Sequence, residues 1–283
     1  MTLEDPLKPI VFYHGNCPDG FGAALAFWLK YGETIEYVPV YHGPKPFKGI
    51  DPSLFFNRQI WMVDIALERE DSIQAHKMAK DFVVLDHHLT NKEHLEDLSF
   101  CYFDMNHSGA VLAWQYLFPT EPVPKLLQYI EDRDLDTWKL PYAKELLTAV
   151  DAHNHSLKEW AELCDKIEHP SGFTKMLEEG SVMLQYNEVL MDIIKRNSYI
   201  AEIKGYFVPM INTPFFRSEV VTLLAKGTLF AAGYHYDGER FIFSLRSEKG
   251  SGLNVAEIAE KFPGGGGHRN ASGFSVKSLD ELK

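Results

Sequence analysis

The feature that most constrains this chain is a rhythm in its first half, where strand-length apolar runs alternate with helical stretches. PIVFYH, IEYVPV, QIWMVDIAL and DFVVLDHH are rich in Val, Ile and aromatic residues. ALAFWLKYG and EREDSIQAHKMAK between them have helical character. A strand–helix–strand order predicts a mainly parallel sheet with helices on both faces. Three of the runs end in polar residues: His14, Asp64 and Asp86-His87-His88. Ligands of open parallel sheets bind outside the carboxyl ends of the strands, where such residues would collect.

After Ser108 the texture becomes helical. Ser108 is placed to cap GAVLAWQYLF, and Pro119 stops that run. KLLQYIEDRDLD, AKELLTAVDAH, SLKEWAELCDKI and GSVMLQYNEVLMDIIKRNSYIAEI continue the pattern. Beyond Gly205, VTLLAK, LFAAGYHYDGERFIFSLRS and GFSVKS read as strands, with YDGE as a hairpin turn. A domain boundary is expected near residue 200, with the long helix before it as a linker.

With 283 residues and 45% hydrophobic content, the chain can build one large domain or two medium ones. No apolar run approaches the ~20 residues of a membrane helix, and MTLEDPLKPI has no signal-peptide pattern. Three widely spaced cysteines, Cys17, Cys101 and Cys164, argue for a reducing, cytoplasmic compartment. A net charge of −12 disfavours a long nucleic acid held by general electrostatics.

In DFVVLDHHLT a strand delivers an acid and two histidines at its end; a metal site or a capped surface turn would both use them. Asp64 follows four apolar residues and is expensive to bury alone. It reads either as the cap of the next helix or as a carboxylate bridging two cations. EDRDLDTW offers Glu131, Asp132, Asp134 and Asp136; Asp132, directly after LLQYI, is the favoured ligand. In FPGGGGHRNASGF, Gly265, Gly266 and Gly267 precede His268 and Arg269, and their backbone N–H groups could approach an anion. GLNVAEIAEKF before it has amphipathic helical spacing. Arg246, at the end of a strand in FSLRS, could reach a phosphate through its planar fork.

HGNCPDGFGAA, MVDIA, LDHH and YIEDRD, in that order, resemble the four metal-site motifs of the DHH phosphoesterase family. FSLRS and GGGGHRNASGF resemble its associated C-terminal domain. The resemblance covers nearly the whole chain. It implies an α/β fold, with a parallel-sheet catalytic domain and helical extension over 1–180, a linker helix over 181–204 and a smaller α/β substrate-binding domain over 205–283. It also implies two divalent cations, manganese by family habit with magnesium or zinc as alternatives. His14 would hold the first, Asp19 the second, and Asp64 would bridge them. His87 and Asp132 would complete the ligands of the second cation, while Asp86 and His88 join Asp64 and His87 as catalytic residues. Arg246, Gly265, Gly266, Gly267, His268 and Arg269 would bind substrate. One departure stands out: Cys17 occupies the place of the family's first acid, either as a sulfur ligand or as packing. The implied activity is hydrolysis of short single-stranded oligonucleotides by two-metal activation of water, in a monomer or homodimer. An adenosine 3′,5′-bisphosphate phosphatase and a non-catalytic nucleotide-binding protein are the alternatives.

Overall fold

The computed structural model describes residues 7–15, 17–41, 46–154 and 156–283. The leader reading at residues 1–6, and Asn16 of the first motif, lie outside the described residues. The chain divides into two compact units, Met1–Leu184 and Gln185–Lys283.

The first unit opens with β1 (Ile10–His14), α1 (Pro18–Tyr31), β2 (Glu36–Val40), β3 (Gln59–Val63), α2 (Arg69–Met78), β4 (Asp81–Asp86), α3 (Leu89–Leu95) and β5 (Cys101–Phe103). The strands form one parallel sheet in the order β2-β1-β3-β4-β5. Alternation along each strand divides its apolar residues between two cores. Val11, Trp61, Val63, Val83 and Leu85 pack on one face. Ile10, Phe12, Ile60, Met62, Phe82 and Val84 pack on the other. Burial on both faces is what a continuous apolar run permits in a parallel sheet, and each fully buried aliphatic or Phe side chain contributes about 1.5–3 kcal/mol.

The helical region supplies α4 (Gly109–Leu117), α5 (Lys125–Asp134), α6 (Ala143–Asp151), α7 (Leu157–Glu168) and α8 (Pro170–Lys195). Ser108 caps α4 as expected, its hydroxyl accepting from the Val111 amide at 3.4 Å. Residues of α1 and α4 to α7, among them Phe27, Trp114, Ile130, Leu146 and Trp160, share the core on the first sheet face.

The second unit contains β6 (Tyr199–Ile203), β7 (Tyr206–Asn212), α9 (Arg217–Ala225), β8 (Ala231–Tyr236), β9 (Phe241–Arg246), α10 (Val255–Ala259), β10 (Gly266–His268) and β11 (Ala271–Val276). Its sheet runs β10-β11-β9-β8-β7-β6 and is antiparallel except between β7 and β8. Three expectations change here. The helix expected to run through YIAEI stops at Lys195, because Asn197 and Ser198 turn the chain and Tyr199–Ile203 pairs with β7. That strand belongs to the sheet rather than to a linker over 181–204. VTLLAK, expected as a strand, lies mostly in α9; Val220, Val221, Leu224 and Ala225 repeat at helical spacing, and short apolar runs of this kind suit either structure.

Candidate metal centre

β1, β3 and β4 lie side by side, and their carboxyl ends deliver His14, Asp64 and Asp86 to one edge of the sheet. β2 and β3 flank β1 on opposite sides, so this edge includes the point where the strand order reverses.

Asp64 follows β3 directly, and its amide donates to the Leu85 carbonyl at 2.9 Å. Its φ is +58°, a left-handed conformation that Asp and Asn tolerate better than other side-chain-bearing residues. Asp64 does not cap α2; that place belongs to Glu68. The buried carboxylate instead meets three histidines. Its Oδ2 is 3.3 Å from His14 Nδ1, while Oδ1 is 3.2 Å from His87 Nε2 and 3.8 Å from His88 Nδ1.

Asp19, in the first turn of α1, is also buried. Its Oδ2 accepts from the Gly109 amide at 2.6 Å and its Oδ1 from the Ala110 amide at 3.0 Å. These are N-terminal amides of α4, which lack partners within their own helix and favour negative charge. His87 Nε2 is 3.5 Å from Asp19 Oδ2 and 3.5 Å from Asp134 Oδ2.

Among the described residues three donor groups result, each with its ligand atoms within 4.8 Å of one another: His14, Cys17 and Asp64; Asp64, His87 and His88; and Asp19, His87 and Asp134. Asp64 and His87 belong to two groups each. Hydrogen bonds to Asp64 and Cys17 push His14 up to about 10. Burial, with the nearby Asp64 and Asp134 charges, raises Asp19. Burial acts the same way on Asp64, but hydrogen bonds from His14 and His87 outweigh it and lower its carboxyl. The histidines facing Asp64 offset part of the concentrated negative charge. Divalent cations would do the same with hard oxygen and imidazole donors, so the residues fit such ions. Cys17, at the N-cap position of α1, adds a sulfur to the first group.

Asp132 does not join the cluster. Two residues along a helix is about a 200° turn, so Asp132 and Asp134 face nearly opposite ways. Asp132 accepts from Thr137 Oγ1 and from the amides of Lys139 and Leu140 at 2.8 and 2.9 Å, organising the loop after α5. Asp134 is the acid that reaches His87. Leu127, Ile130 and Asp134 follow i, i+3, i+7 spacing, and an added Cβ at Gly22 of α1 would lie 3.2 Å from Ile130 and 3.4 Å from Leu127. Asp134 therefore continues the α5 face that packs on α1.

Asp86, expected among the catalytic residues, ends β4. It is fully buried and accepts from the His87 amide at 2.7 Å, the His88 amide at 3.2 Å, His88 Nδ1 at 2.7 Å and Asn91 Nδ2 at 2.6 Å. Its oxygens shape the turn after β4, and one of them holds His88. The strand has ended by this point, so His87 and His88 both turn toward Asp64.

Two further residues shape the surroundings of the site. Glu131 accepts from the Ser108 amide at 2.9 Å and meets His107 Nδ1 at 3.1 Å, tying α5 to the start of α4. Gly109 provides room: a Cβ there would lie 2.6 Å from Asp64 Cβ and 2.9 Å from Asp19 Oδ2.

The division between the two acids of α5 is testable. Asp134→Asn should weaken divalent-cation binding by about 10- to 100-fold with little change in apo stability. Asp132→Asn should cost about 1–3 kcal/mol of stability, because it disturbs a buried acceptor with three donors, and should leave cation affinity near wild type. Calorimetric cation titration and thermal melts of both variants check this; the reverse assignment of effects would restore Asp132 as the ligand.

The expected substrate residues lie in the second unit. Cross-strand register places His268 opposite Ala271 and Ala271 opposite Arg246, so His268 and Arg246 share one sheet face. GGGGHRN is not wholly a loop, since Gly266–His268 forms β10. A Cβ on Gly265 would lie 2.0 Å from the Ala259 carbonyl, so this glycine lets the chain pass close to α10. His268 and Arg269 are exposed.

No family model matches the chain. It is 31% identical to the uncharacterized protein R106 of Acanthamoeba polyphaga mimivirus, over 99% of this chain and 72% of that protein. Among solved structures, it resembles the pGpG-specific phosphodiesterase PggH of Vibrio cholerae, with a TM-score of 0.53 and 14% identity over 96% of this chain and 94% of that one. An exopolyphosphatase-related protein from Bacteroides fragilis matches with a TM-score of 0.51 and 17% identity, covering 98% and 89% of the two chains. RecJ from Thermus thermophilus, solved with Mn2+, matches at 0.51 and 12% over 97% of this chain and 50% of its own. At these identities the solved structures establish the shared fold, while R106 is a relative in sequence. The chain thus belongs to one family with R106, and it shares the fold of these solved phosphodiesterase, exopolyphosphatase-related and RecJ structures.

Proposed function

We propose that this protein is a metal-dependent phosphodiesterase acting on short single-stranded oligonucleotides. The observation that carries this reading is the set of donor groups joined through Asp64 and His87. His14, Cys17 and Asp64 would hold one divalent cation; Asp19, His87 and Asp134, with the other oxygen of Asp64, would hold a second. Such cations supply Lewis-acid charge and make water acidic enough to act as a nucleophile near neutral pH.

The protein's own groups orient this site. The α4 amides fix Asp19, Asp86 fixes His88, and the left-handed turn at Asp64 directs its two oxygens to different histidines. His88 is the candidate general acid for the leaving oxygen. Arg246 and His268, with Gly265, Gly266, Gly267 and Arg269, would grip the substrate away from the scissile bond. The sulfur of Cys17 favours zinc at the first position, whereas the carboxylate-rich second position suits manganese or magnesium. The net charge of −12 favours short substrates, because a long strand needs an extended basic track. The Vibrio cholerae neighbour, named as a pGpG-specific phosphodiesterase, agrees with a small phosphodiester. Cytoplasmic residence fits the three unpaired cysteines.

A panel of two- to ten-nucleotide RNAs and DNAs, with adenosine 3′,5′-bisphosphate, incubated with manganese, magnesium or zinc tests the proposal. Dinucleotides and trinucleotides should be cleaved fastest, and only with added divalent metal. Faster release of phosphate from the bisphosphate than cleavage of any oligonucleotide would make the protein a phosphatase. Stoichiometric metal binding with no hydrolysis of any substrate would make it a binding protein.

A further inference from the structure

α8 is the longest helix among the described residues, 26 residues from Pro170 to Lys195, and it packs along one side. Phe173, Met176 and Leu177 join the core of the first unit. Met191 and Ile194 pack on the cluster of Ile211, Val220 and Val221 in the second. The other side carries Val182, Tyr186, Val189 and Ile193, which are 67, 62, 55 and 49% exposed. They recur four, three and four residues apart. That spacing keeps side chains on one stripe of a helix, and it is the spacing at which two helices interlock. A merely solvated helix face has no need of four large apolar groups in a row, and a contiguous apolar patch on a surface marks an interaction site.

Charge at the two ends of the stripe identifies what covers it. One further step of the same spacing in each direction reaches Glu179, three residues before Val182, and Arg196, three residues after Ile193. The Arg196 amide still donates to the Asp192 carbonyl at 3.3 Å, so the helical path extends to it. Among the described residues, arginine–carboxylate ion pairs form at Arg58, Arg69 and Arg133, not at Arg196. Glu179 meets Lys166 and Lys175 at 4.0 and 3.9 Å, the outer limit of an ion pair.

Two copies of α8 laid antiparallel about a two-fold axis pair Tyr186 with Val189, Val182 with Ile193 and Glu179 with Arg196, and each pairing occurs twice. Laid parallel, the same stripe would set Glu179 against Glu179 and Arg196 against Arg196, and like charges so placed repel. The stripe is therefore complementary to itself in one direction, the property that an interface between identical subunits requires. From Glu179 to Arg196 it runs about 25 Å at the helical rise of about 1.5 Å per residue.

We propose that this protein forms a homodimer through α8, with the apolar stripe of one copy packed antiparallel on the same stripe of a second copy. The Glu179–Arg196 pairs at the two ends set the direction, and the four apolar side chains of each copy supply the burial. The interface stands apart from the reaction proposed above, since none of these six residues belongs to the donor groups of the metal centre.

Sedimentation velocity of the full chain over a hundredfold range of concentration tests it. The wild-type protein should sediment with twice the mass of one chain and dissociate on dilution. Val189→Asp, which places an acid in both central layers, should raise the dimer dissociation constant at least a hundredfold. Glu179→Arg and Arg196→Glu, made singly, should each raise it at least tenfold, because each sets like charges together at both ends. Combined in one chain they restore opposite charges, and the constant should return to near the wild-type value. A wild-type chain that stays monomeric throughout the range would overturn the proposal, as would a dimer that Val189→Asp leaves intact. A dimer that Val189→Asp dissolves but whose constant does not follow the charge exchanges would overturn the antiparallel pairing. Thermal melts establish that each variant is folded, with Tyr186→Asp and Arg196→Glu carrying the test where Val189→Asp or Glu179→Arg is not.

Discussion

Asp64→Asn should lower turnover on the order of 10³-fold or more, while the fold survives. The size follows from the position of Asp64 between two donor groups: losing one carboxylate charge weakens both cations that would offset charge on the transferring phosphoryl group. Several kcal/mol of transition-state stabilisation converts to about that factor. Survival of the fold follows from the backbone. The φ of +58° at Asp64 suits Asn as well as Asp, so this exchange removes charge without adding strain. In the apo protein Asp19, Asp64 and Asp134 crowd around His87 without a cation to offset their charge. Manganese should therefore raise the wild-type melting temperature; saturation to about 100 times Kd would add about 2.7 kcal/mol. In Asp64→Asn that increment should largely disappear. Wild-type turnover of short oligonucleotides by a folded Asp64→Asn protein would remove Asp64 from the centre and the two-cation reading with it.

Gly109→Ala should be nearly as damaging, although alanine is the better helix former by about 1 kcal/mol. Gly109 opens α4, and an added methyl there would lie 2.6 Å from Asp64 Cβ and 2.9 Å from Asp19 Oδ2. Neither neighbour yields easily. Asp64 is fixed by its bond to Leu85, and Asp19 accepts from the amide of Gly109 itself. The two acids must separate or α4 must shift, and a displacement of about 1 Å is enough to reduce catalysis about 10²-fold. Cation affinity and turnover should fall together in Gly109→Ala, whereas the melting temperature without metal should change much less. Cation affinity equal to wild type would show that the close approach is mere packing.

The corrections share a physical cause. Apolar runs of strand length that end in polar residues report strand ends directly, because the period of two and the burial of both sheet faces are local properties. His14, Asp64 and His87 were legible for that reason. The fourth acid lay in a helix with Glu131, Asp132, Asp134 and Asp136 all nearby, where the choice depends on helix phase rather than on adjacency to an apolar run. That phase is set by how Leu127 and Ile130 pack on α1 at Gly22. VTLLAK failed as a strand for a related reason: a run of that length is too short to separate the two periods.

By itself, the sequence determined the parallel α/β first half, the helical middle, the hairpin at YDGE and the set of residue types that can hold divalent cations. Those follow from local periodicity, turn chemistry and the coordination preferences of individual side chains. Tertiary structure alone decided that Asp134 rather than Asp132 meets His87, and that Gly109 is the space between two carboxylates. These are contacts between residues far apart in the chain, and their geometry is set by how helices pack on the sheets.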